Sequence, residues 1–330
     1  MTEVTLGSCR LILGDCREVL PALRSESVDF IFTDPPYGNN NQAGDLQSAL
    51  GKLRGAGGPN GSEAGNRPIA NDDAASANAL VRYLFGEAGR LLPPGGCCAV
   101  CCAGGGGELI QFAHWSLWLA EAIGFKQMVI WDKGPMGLGW HYRRSYEVVL
   151  VGEKGGAACR WFDESDTVEN VIRPGDYGVA KIIPAAGEHP TAKSPALAGL
   201  FIRLHTAADH LVLDPFMGGG STALAALRSG RRFIGIELDP QWFELTCRRL
   251  EEVLAQGDLF ADASPHRKAQ QLTLAEQDPG DGPRPGLPPL PEAWWRRPPA
   301  QLRLDWRRAG SSAPPPPSAP WAGPRQRGLF

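Results

Sequence analysis

The chain has 330 residues, 43% of them hydrophobic and 21% charged, with a formal net charge of −3. This length allows about two domains, or one α/β domain with an appendage, and the near-neutral charge excludes global attraction to nucleic acid, so any DNA-binding face must be a local cluster of Arg and Lys. No apolar run approaches the ~18 residues of a membrane span and no apolar segment follows Met1, so a cytoplasmic protein with no membrane partner is expected.

In chain order, residues 9–14 and 28–33 read as strands, 74–92 as a helix and 97–103 as a third strand. A helix at 108–123 and strands at 128–131 and 146–152 follow. Then come a strand at 211–214, a helix at 222–228, a strand at 232–238 and a final helix reaching 256. Near-continuous apolar strands separated by helices predict an α/β fold with a doubly wound, mostly parallel sheet. Residues 38–73, rich in Gly, Asn and Ala, and residues 154–188, with weak periodicity, read as long functional loops. Residues 257–330, rich in Pro and Arg, read as a disordered tail behind a folded domain at 1–256.

Of eight cysteines, Cys97, Cys98, Cys101 and Cys102 crowd into one predicted strand, where alternate thiols point to opposite faces as small buried hydrophobes. The Cys98 and Cys101 pair has no partner pair at zinc-ligand spacing. No metal is expected, and a reducing compartment is.

Two motifs carry chemistry. Asp34-Pro35-Pro36-Tyr37 ends the strand at 28–33 in a turn whose prolines fix φ and donate no N–H. The turn suits a flat, amino-bearing ring: Asp34 and the Pro35 carbonyl accept its two N–H protons, and Tyr37 stacks on its face. Later, the strand at 211–214 runs through Asp214, Pro215 and Phe216 into Gly218, Gly219, Gly220 and Ser221, at the start of a helix. Gly218 and Gly220 permit close backbone approach to a ligand, and Phe216 packs beside it. Glu237, ending the next strand, is placed to accept hydrogen bonds from two ribose hydroxyls. Together they describe a nucleoside-cofactor site. The same glycines also fit a dinucleotide pattern, although nothing else in the chain supports hydride transfer.

With these motifs in this order, the chain resembles the β-class amino-group DNA methyltransferases, in which D-P-P-Y precedes F-x-G-x-G. Asp15 after Gly14, Trp131-Asp132-Lys133, and His189-Pro190-Thr191-Ala192-Lys193 resemble further family segments, although Ser194 separates Lys193 from Pro195 where the family has them adjacent. The resemblance covers about residues 5 to 256. It implies a seven-stranded Rossmann-like sheet with an antiparallel hairpin at one edge, S-adenosylmethionine as cofactor, and double-stranded DNA as substrate. Asp15 would meet the cofactor's adenine, with Thr191 and Lys193 at its methionyl carboxylate beside His189. Asp at position 34 leans towards adenine N6 over cytosine N4, the alternative target, and a non-catalytic DNA-binding protein of the same fold would have lost Asp34, Tyr37, Gly218 or Glu237. Cytosine C5 chemistry would need a cysteine following proline, and none does.

A target base must leave the duplex to reach Asp34. The residues preceding the His189 motif would carry target recognition, shared with the loop at 38–73. The adjacent Arg143 and Arg144 are the candidate basic pair for phosphate contact. Gln256-Gly257-Asp258-Leu259-Phe260 resembles the short peptides that dock on a bacterial sliding clamp, with packing on the domain as the alternative. A companion restriction endonuclease is a further partner the resemblance implies.

Overall fold

A computed structural model of the chain describes residues 2–38, 70–103, 111–134, 145–164, 167–179 and 193–255. Nine strands form one sheet: β1 Thr2–Leu6, β2 Cys9–Leu13, β3 Phe30–Thr33, β4 Cys97–Cys102, β5 Phe125–Asp132, β6 Tyr146–Glu153, β7 Val171–Ile172, β8 Leu211–Asp214 and β9 Arg232–Glu237. Their order is β1-β2-β9-β8-β3-β4-β6-β5-β7. The five central strands from β2 to β4 run parallel, while β6 is antiparallel to both its neighbours, β4 and β5.

Two strands exceed the expected seven. β1 turns back on β2 through Gly7, whose φ of +57° makes the tight reversal. β7 pairs with β5 over only two residue pairs, Ile130 with Val171 and Trp131 with Ile172. It is too short for periodicity to reveal, and it moves the β5–β6 hairpin one place in from the edge.

Helices cover both faces. On one lie α1 (Cys16–Val19), α2 (Ala74–Leu91) and α3 (Gln111–Ala122); on the other lie α4 (Pro195–His205), α5 (Ser221–Arg228) and α6 (Pro240–Ala255). α2 buries Ala77, Leu80, Val81, Leu84, Phe85, Ala88 and Leu91, an i, i+3, i+4 stripe, and Asp73 caps it by accepting the Ser76 amide at 2.9 Å. β4 is buried along its whole length: Cys97 and Cys101 enter one core, Cys98 and Cys102 the other. Small thiols let both helical layers approach a strand that has no polar face. Among the described residues, no helix is long and apolar enough to cross a membrane.

The topology decides where a site can form. β3 crosses through α2 to β4 on one side, whereas β8 crosses through α5 to β9 on the other, so the strand order reverses between β8 and β3. At such a switch point the two crossovers diverge and leave a crevice at the carboxyl edge. Asp34 leaves β3 there, and the glycine turn leaves β8.

Candidate active site

Four adjacent parallel strands, β2, β9, β8 and β3, deliver Asp15, Glu237, the glycine turn and the D-P-P-Y turn to one cleft. The cleft has a volume of about 210 Å³ and opens to solvent.

At the β3 end, charges are tightly grouped. The Lys193 ammonium lies 3.0 Å from Asp34 Oδ2 and 2.9 Å from Glu147 Oε2, and Lys133 reaches Glu147 Oε1 at 2.7 Å. Tyr37 donates its hydroxyl to Asp34 Oδ1 at 2.7 Å, and its ring stands 5.1 Å from the Lys193 nitrogen. Burial disfavours charge on every member, but the outcomes differ. Two lysines outweigh burial at Glu147 and hold it down to about 2. For Lys193 burial is outweighed by the two carboxylates, which raise its pKa. Asp34 shares its one cation with Glu147, so burial, which Lys193 only partly offsets, leaves its pKa raised.

At the β8 end the backbone dominates. Glu237 accepts the Gly218 amide at 2.7 Å and the Asp239 amide at 2.8 Å; burial, opposed by these bonds, raises it to about 7. Asp214 receives the Thr33 hydroxyl at 2.6 Å and the Phe216 amide at 3.1 Å, tying the two turns together, and burial raises it to about 6. Gly220 has φ +80°, and a Cβ there would lie 2.5 Å from the Thr246 side chain, so only glycine fits. Thr246 in turn donates to the Gly218 carbonyl at 2.9 Å.

The chain is similar to known DNA methylases. The methylase YubD of Escherichia coli (strain K12) is 48% identical over 255 residues, covering 74% of this chain and 91% of YubD. The DNA adenine methyltransferase YhdJ of the same organism is 24% identical over 297 residues, covering 81% of this chain and 87% of YhdJ. Among solved structures, the cytosine-N4-specific PvuII DNA methyltransferase matches with a TM-score of 0.56 and 17% identity, covering 81% of this chain and 92% of that one, a likeness of fold. The N6/N4 DNA methylase family matches residues 28–248. The chain belongs to that family.

In this methylase, Asp34, Pro35, Pro36, Tyr37, Asp15, Asp214, Phe216, Gly218, Ser221 and Glu237 all line the cleft, and Gly220 closes the turn behind it. Several do more than line it. Asp15 caps α1 through the Arg17 amide at 2.8 Å and pairs with the Arg17 guanidinium, whose hydrogen bonds hold its carboxyl below the usual range. Ser221 donates to the Lys193 carbonyl at 2.7 Å, fastening the segment that carries the lysine onto α5. The ammonium of Lys193 sits against Asp34 and Glu147 at the β3 end of the cleft, whereas the resemblance implied a place at the cofactor's methionyl carboxylate. A buried ammonium needs such counter-charges when no other anion is near.

His189, Thr191, Arg143, Arg144 and the peptide from Gln256 to Phe260 lie outside the described residues, as do residues 39–69 of the first long loop. That loop's ends are pinned, since Asp72 accepts the Gly38 amide at 2.8 Å. Of the second, residues 171–179 contain β7 and a 3-10 turn at Asp176–Gly178. Sequence reasoning missed Glu147, Thr246 and Trp242, which lines the cleft from α6. Glu147 sits in an apolar strand remote from both motifs, and its only sequence signal is a charged residue in a run otherwise built to be buried.

Proposed function

We propose that this DNA methyltransferase uses S-adenosylmethionine to methylate the exocyclic N6 of adenine in double-stranded DNA, with the target base flipped into the β3 end of the cleft. The observation that carries the reading is that Asp34 and Glu237 line one cleft on opposite sides of the topological switch point. Asp34 offers acceptors for an amino group, and Glu237 offers an acceptor for sugar hydroxyls.

The residues fit the cofactor. Phe216, Met217, Ile236 and Trp242 supply apolar surface for a nucleoside, with Glu237 and the glycine turn at its polar edge. When bound, the cofactor supplies an electrophilic methyl group on a sulfonium.

The chain's own residues prepare the nitrogen. Two of the roughly four lone-pair positions on Asp34 serve Tyr37 and Lys193, leaving capacity for one amino N–H. The Pro35 carbonyl takes the other N–H, so the nitrogen lone pair is drawn out of the ring and aimed by hydrogen bonds already in place. Lys193 and Glu147 hold Asp34 in position, and its raised pKa makes it a competent acceptor for the proton released on alkylation. Tyr37 borders the base, replacing part of its lost stacking.

The adenine assignment rests on Asp34 in the motif and on the similarity to YhdJ, named as an adenine methyltransferase. The likeness to a cytosine-N4 enzyme leaves the base to local contacts. Mass spectrometry of nucleosides from DNA incubated with the protein and S-adenosylmethionine tests it: N6-methyladenine is expected, and N4-methylcytosine alone would overturn the base assignment.

A further inference from the structure

At the amino edge of the parallel strands, away from the cleft, three side chains meet that the methylation chemistry does not use. Cys97 opens β4, Cys159 lies in the loop after β6, and His205 ends α4. The two sulfurs are 3.3 Å apart, and both thiols and the imidazole offer ligand atoms within 4.8 Å of one another. Cys97 and His205 are buried, while Cys159 is partly exposed.

We propose that Cys97, Cys159 and His205 form a binding site for a divalent cation of the zinc class, clamping β4, the loop after β6 and the end of α4 together. Two thiols and an imidazole are the donor set such a borderline-soft ion selects over hard cations. With bonds of about 2.3 Å to sulfur, a tetrahedral ion needs its two sulfurs roughly 3.8 Å apart. The present spacing must open by only about 0.5 Å to admit the ion, whereas a disulfide at about 2.05 Å would require it to close by more than twice as much. The third ligand is held for the task. His205 stacks on Phe30 at 5.1 Å and 22°, meets Trp161 edge-on at 5.5 Å, and places Nδ1 3.2 Å from the Arg160 carbonyl. The contact with this carbonyl and the two ring contacts fix the orientation of the imidazole, as outer partners do for a metal-bound histidine. Three protein ligands leave a fourth position for water, and the partly exposed Cys159 marks the side from which ion and water arrive.

Spacing along the chain hides this site, because its ligands are 62 and 46 residues apart and only the sheet brings them together. Titration of the reduced, chelator-stripped full chain with Co²⁺ tests the proposal. One equivalent should bind with a thiolate-to-cobalt charge-transfer band, and Zn²⁺ should displace it. Cys159→Ser, at the partly exposed position, and His205→Asn should each weaken binding more than ~100-fold. Cys247→Ser on α6 should leave it unchanged. Zinc should raise the thermal midpoint of the wild type but not of Cys159→Ser. Absence of the band, a band that survives Cys159→Ser, or a Cys97–Cys159 disulfide in the metal-free protein as isolated from reducing cytosol would overturn it.

Discussion

The two halves of the cleft solve the problem of buried charge in opposite ways. At the β3 end, carboxylates are met by ammonium groups, and Glu147 is held down to about 2. At the β8 end, Glu237 and Asp214 meet backbone amides and hydroxyls, and burial raises them to about 7 and about 6. Two full counter-charges outweigh desolvation at Glu147, whereas one shared ammonium at Asp34 and neutral dipoles at Glu237 and Asp214 only moderate it. The β3 half is therefore built around an ionised Glu147, while the β8 half has in Glu237 a carboxyl poised to change protonation near neutrality. The experiments that follow strike one half or the other, the first of them reading both.

The largest effect is expected for Asp34→Ala. Turnover should fall more than ~100-fold, since an acceptor used in the transition state is lost at a cost of about 3 kcal/mol or more. Cofactor affinity should stay within a few-fold. Calorimetric titration alongside a methylation assay checks both, and a large loss of cofactor affinity would erase the division between the halves. Glu237→Ala should do the reverse, weakening cofactor binding first.

Glu147→Gln sharpens the comparison. Without Glu147 the Lys193 charge falls on Asp34 alone, so the Asp34 pKa should drop and the acid limb of the pH–rate profile should move to lower pH. Glu147 also links stability to pH. Its folded pKa lies below its ordinary value, so its contribution, on the order of 3 kcal/mol, is present above about pH 4.5 and lost as pH falls towards 2. Acid denaturation of the wild type and of Glu147→Gln should differ accordingly, and coincident curves would argue that the network is not stabilising.

For the β8 half the expected effect is smaller. In the role proposed for Glu237, sugar hydroxyls donate to its ionised form, so binding favours the form that prevails above about pH 7. Affinity should weaken as pH falls through that value, by no more than about tenfold per unit. Glu237→Gln should bind weakly with a flat profile, and a wild-type affinity constant from pH 6 to 8 would remove Glu237 as the titrating group. Smallest of all, neutralising Arg143 and Arg144 should flatten the salt dependence of DNA binding by up to about two phosphate contacts. An unchanged slope would give them other work.

The sequence by itself determined most of the scaffold and the identity of both turns. β2, β3, β4, β8 and β9 were legible because strands covered on both faces must be apolar throughout. The D-P-P-Y and glycine turns were legible because stiff or close-approaching backbone admits few residue types. Tertiary structure alone decided how the charges are shared. That Lys193 faces Asp34 and Glu147, that Asp214 braces both turns, and that Cys97, Cys159 and His205 converge at the far edge depend on pairings between strands and loops distant in sequence. Periodicity is a property of one element and reports which of its faces is buried. A counter-charge or a ligand set belongs to several elements at once, and it exists only after the sheet has put their ends side by side.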